Sequence, residues 1–86
     1  MAVHSEAEVI AAMRAESRAL YGRDGCGVIA RDVAIRLYEA HRSESEPYYA
    51  DGTVKSTQRQ LAQMARRGLV RKCHDTRGRT YYRVLD

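Results

Sequence analysis

The stretch MARRGLVRKCHDTRGRTYYRV, residues 64–84, carries seven Lys or Arg and one acid, Asp75. A basic tail would carry that charge with no order among its apolar residues. Here the apolar residues are ordered, and their period changes at Gly68. Before it, Leu61, Met64 and Ala65 follow helical spacing. After it, LVRKCHD and TYYRVL are rich in strand formers, and TRGR lies between them with Gly78 able to take the positive φ of a hairpin turn. An antiparallel hairpin over residues 69–85 follows, with Tyr82 and Val84 on one face, Tyr81 and Arg83 on the other, and Arg77 and Arg79 at the tip.

Upstream of the hairpin, TVKSTQRQLAQMARRG reads as a helix over 53–67, capped by Thr53 and stopped by Gly68. Val54, Thr57, Leu61, Met64 and Ala65 form its inner face. Lys55, Ser56, Arg59, Ala62, Gln63 and Arg66 form the outer one, with three cations and no carboxylate. A merely solvated helix face usually mixes both signs. Before it, SESEPYYADG is polar, holds the single Pro and reads as a loop over 43–52. Its Tyr48–Tyr49 pair has two readings: packing onto the domain to close that loop, or meeting a partner or stacking on a sugar. Residues 30–42 read as helix 2, on the stripe Ala30, Val33, Ala34, Leu37, Tyr38. Val28–Ile29 is a short strand and GRDGCG a glycine-rich loop. Residues 5–21 read as helix 1, with Ser5 and Glu8 spaced as a capping box.

Composition sets bounds on this layout. Eighty-six residues allow one domain, and 44% apolar content is that of a folded chain rather than a disordered one. No apolar run nears the roughly 18 residues of a membrane span, and MAVHSEAEVI lacks a signal-peptide pattern. A cytoplasmic location is expected, with Cys26 and Cys73 as free thiols. Charge is polarised. Residues 1–54 hold six Arg against nine acids, a net −3. Residues 55–86 hold nine Lys or Arg against two acids, a net +7. Such a basic half attracts polyanions, nucleic acid foremost.

The order helix, short strand, helix, helix, strand, strand, with LAQMARRGLVRK followed by RGRTYYRV, resembles the winged helix-turn-helix domain of bacterial transcription regulators of the MarR, PadR and ArsR kind. ARDVAIRL looks like the first helix of the helix-turn-helix, with Ala34 at the small position where two helices approach. Nineteen residues separate Leu37 from Thr57, more than the usual motif holds, so helix 2 is expected to be longer or the connection extended. The resemblance implies an α+β fold of three helices with a C-terminal β-hairpin wing, spanning 1–86 as one domain. It also implies double-stranded DNA as partner. In such proteins the third helix enters the major groove. Lys55, Ser56, Arg59 and Gln63 would then meet base edges, where Arg suits guanine and Gln suits adenine. Gln60 flanks them, and Arg66, with Arg67 beside it, meets phosphate. The wing tip, Thr76, Arg77 and Arg79, would approach the backbone or the minor groove. A small DNA-associated regulator or repressor is the implied function. A homodimer would match a palindromic site; helix 1 offers a face for it, unless the core uses that face.

Other chemistries find little support. Cys73–His74 has no close ligand partner of the Cys-x2-Cys kind, so a half-buried Cys and an exposed His are expected rather than a metal site. GRDGCG lacks the Lys and the spacing of a phosphate-binding loop. No catalytic arrangement, cofactor or small-molecule ligand is indicated. The rival reading is a winged-helix module whose basic face binds an acidic protein partner.

Overall fold

The computed structural model describes residues 4–41 and 51–85. Three helices, α1 (Glu6–Tyr21), α2 (Ala30–His41) and α3 (Asp51–Arg66), precede two strands, β1 (Val70–His74) and β2 (Thr80–Val84). The strands form an antiparallel hairpin with Val70 opposite Val84 and His74 opposite Thr80. Val28 adds one bridge to the other side of β2: its N–H and carbonyl each bond Tyr82 at 2.8 Å. The chain is thus a small α+β domain whose hairpin is stitched to the segment just before α2.

Local sequence explains most of the element ends. Ser5 caps α1, accepting from the Glu8 N–H at 3.1 Å while Glu8 Oε1 accepts from the Ser5 N–H at 3.0 Å. Gly78 turns the hairpin at φ 80°. At Gly27 the space is tight instead: a Cβ there would sit 3.2 Å from Tyr81 Cβ, closer than ordinary contact.

Several expected boundaries move. α3 begins at Asp51, so Thr53 lies inside the helix rather than capping it, and residues 51–52 are helical rather than part of a 43–52 loop. Asp and Thr both suit a helix beginning, and local chemistry does not rank them. The strand expected at 28–29 contracts to Val28 alone. The expected helix 2 end at residue 42, and the Tyr48–Tyr49 pair with the rest of its loop, lie outside the described residues.

The core sits between the three helices and the inner face of the hairpin. Val9 and Met13 of α1, Val33 and Leu37 of α2, and Leu61 and Met64 of α3 meet Val28, Val70, Tyr82 and Val84. The apolar stripe of α1 is therefore spent on this core; of its large apolar residues only Leu20 and Tyr21, at its far end, stand exposed. Ala34 is fully buried on α2, where a small residue lets the helices pack closely. Arg36 of α2 ties α1 through Glu16 at 2.9 Å. No helix among the described residues is long and apolar enough to cross a membrane.

Ser17 locks the glycine-rich loop. Its hydroxyl is buried, donates to the Arg23 carbonyl and accepts from the Cys26 N–H at 3.0 Å. Ser17→Ala leaves both backbone groups without that partner. We expect a loss of about 1–3 kcal/mol in unfolding free energy, read as a lower urea midpoint with an unchanged slope.

Candidate nucleic-acid interface

On α3, Leu61, Met64 and Thr57 are buried, which turns the opposite face outward. Lys55, Arg59, Gln63 and Arg66 are exposed there, and Ser56 and Ala62 are half-buried. Two neighbours expected near them point elsewhere. Gln60 Nε2 donates to the His4 carbonyl, so Gln60 belongs to the contact between α3 and the start of α1 rather than to the flank of the outer face. Arg67 pairs with Glu6 on that same side.

Along its other flank α3 borders an open groove of about 550 Å³. Ile29, Ala30 and Arg31 line it from the start of α2, Gln58 from α3, and Lys72, Arg79, Thr80 and Tyr82 from the hairpin. Three cations from two distant parts of the chain share this groove, and the described residues that line it include no carboxylate. Sequence reasoning missed Arg31, Gln58 and Lys72. A signal for two of them was present. Gln58 lies three residues after Lys55 and so shares its row on the helix. Lys72 alternates with Val70 and so shares the inner face of β1. Nothing local marks Arg31, because its place depends on the hairpin returning to Val28.

The hairpin tip is built around the one acid in the strand–turn–strand segment 69–85. Asp75 Oδ1 accepts from the backbone N–H of Arg79 at 2.8 Å and of Arg77 at 2.9 Å, and Oδ2 accepts from the Tyr81 hydroxyl at 3.3 Å. The Gly78 N–H closes the turn on the Asp75 carbonyl at 3.0 Å. The Arg79 N–H above all, then the Arg77 N–H, the Tyr81 hydroxyl and the Arg79 charge hold the Asp75 carboxyl below its usual range, against a cost from partial desolvation. Thr76, Arg77 and Arg79 are all exposed on this turn. Asp75 thus fixes the backbone that carries the tip arginines.

A carboxyl whose folded pKa is depressed stabilises the fold at pH above its unfolded value, about 3.9 for Asp. That contribution is lost as pH falls from there through the folded value. Thermal melts across this range are expected to show wild type more stable than Asp75→Ala at neutral pH, with the two converging in acid. A gap that is constant with pH would contradict the role given to the carboxylate.

Cys73 is half-buried and His74 exposed, and both cysteines are free thiols. No family model, curated protein or solved structure matches this chain.

Proposed function

We propose that this chain is a winged helix-turn-helix protein that binds double-stranded DNA sequence-specifically, as a small transcriptional regulator or repressor. In this reading α3 enters the major groove and the β1–β2 hairpin is the wing. The carrying observation is the groove: the start of α2, the flank of α3 and the hairpin converge on one concave surface with Arg31, Lys72 and Arg79 on its walls. It adjoins the exposed row of Lys55, Arg59, Gln63 and Arg66. A duplex strand crossing this surface would meet the three cations of the groove along one flank of the reading helix. The element order, with Val28 bridged to β2, also supports the winged reading.

Arg59 faces outward on the helix and reads base edges; Arg77 sits on the tip and holds the backbone. Arg59→Ala is expected to cost about 1–3 kcal/mol at one base pair and to relax discrimination there, while Arg77→Ala weakens specific and random duplexes alike. Selection of bound duplexes from a random pool, followed by fluorescence anisotropy on the variants, measures both. Mass measurement of the bound complex gives its stoichiometry, for which a dimer on a palindromic site is the proposal. The absence of any duplex binding at low salt would end this reading.

A further inference from the structure

The hairpin brings one more titratable side chain to the groove. His74 ends β1 on the same face as Lys72, because side chains alternate along a strand. It stands opposite Thr80, and its Nδ1 lies 3.4 Å from Thr80 Oγ1. Thr80 lines the groove together with Lys72 and Arg79 of the hairpin, Arg31 of α2 and the neutral Gln58 of α3. His74 is itself exposed, so it stands at the groove rim within reach of what the groove binds.

Histidine is the one side chain whose ordinary charge change falls between about pH 5 and 8. Two neighbours have titrations displaced away from that interval. The Arg79 N–H above all holds the Asp75 carboxyl below its usual range, and burial pushes the Tyr82 phenol above its own. The cations of the groove disfavour an imidazolium beside them, and a phosphate lying among them favours it. Phosphate binding therefore takes up a proton from solvent, and affinity rises as pH falls. We infer that His74, held by Thr80, is a proton-controlled phosphate contact at the rim of the groove. With Nδ1 unprotonated, the ring accepts from the Thr80 hydroxyl. Once the ring is charged, its Nδ1–H donates to Thr80 Oγ1, which frees the hydroxyl to donate to the phosphate. The inference rests on the duplex reading and adds its regulation: the groove grips the backbone more strongly in mild acid.

The test is fluorescence anisotropy on a labelled duplex at about pH 7.5 and about pH 5.5 over a salt series. Wild type is expected to bind about two- to fivefold tighter at the lower pH, the range of one exposed ion pair. Its slope of log affinity against log salt should steepen there by up to about 0.9. His74→Gln keeps a polar side chain that takes no proton, and should lose both changes. His74→Arg carries a charge at either pH and should show the tighter binding at both. His4→Gln removes a histidine from the other side of α3 and should keep the wild-type response. A pH gain that survives His74→Gln, or that wild type lacks, overturns the inference and leaves duplex binding standing. No duplex binding at either pH removes the reading beneath it and the inference as well. Circular dichroism at both pH values checks the fold of each variant, and tight binding by His74→Arg at the higher pH is a gain that unfolding cannot mimic.

Discussion

Tyr82→Ala is expected to lower the unfolding free energy by about 3–5 kcal/mol, the range for deleting a large buried ring. Tyr82 is 5% exposed, and burial raises its phenol above the usual pKa. Its ring sits in the core beside Val28, and its backbone is the one that pairs with Val28 in both directions. A chain of 86 residues has about 4–13 kcal/mol of stability in total. The substitution therefore removes a large share of it, and the loss falls on the contact that holds the hairpin against the helices. Urea unfolding followed by circular dichroism measures the effect. Tyr82→Phe keeps the ring volume and is expected to cost less than about 1.5 kcal/mol. A Tyr82→Ala loss no larger than that of Tyr82→Phe would mean that the ring does not anchor the hairpin.

Neutralising the groove is expected to have the largest effect on duplex binding. Each cation that meets a phosphate releases counterions and adds about 0.9 to the slope of log affinity against log salt. Replacing Arg31, Lys72 and Arg79 together by Ala should flatten that slope by about 2.7, three contacts at 0.9 each. The loss of affinity should be greatest at low salt and similar for specific and random duplexes, because the phosphates carry no sequence. Arg59→Ala supplies the contrast, with lost discrimination and a smaller change in slope. If the triple variant keeps the wild-type slope, the groove is not where the backbone runs. Circular dichroism on the triple variant separates this from unfolding; the Arg31, Lys72 and Arg79 side chains lie on the groove rather than in the core.

The local signals reported themselves well. The Ser5–Glu8 capping box, the positive φ at Gly78 and the helical stripe through Leu61 and Met64 all depend on interactions within a few residues, and each was legible in the chain. So was the exposed row Lys55, Arg59, Gln63, Arg66, because helical geometry turns those residues away from the buried stripe. The start of α3 was not, since Asp51 and Thr53 both suit a helix beginning and local chemistry does not rank them.

By itself, then, the sequence determined the helices, the hairpin, the polarised charge and the face of α3 that looks outward, all set by short-range periodicity and turn chemistry. Only the tertiary structure decided which polar residues keep company. Gln60 and Arg67 go to the start of α1, through His4 and Glu6. Arg31, Gln58 and Lys72 meet in one groove. The physical reason is that these groupings depend on the return of β2 to Val28 and on the packing of three helices around one core. Gln58 and Lys72 carried local signals of face, but which residues they would meet so far along the chain left no spacing to read.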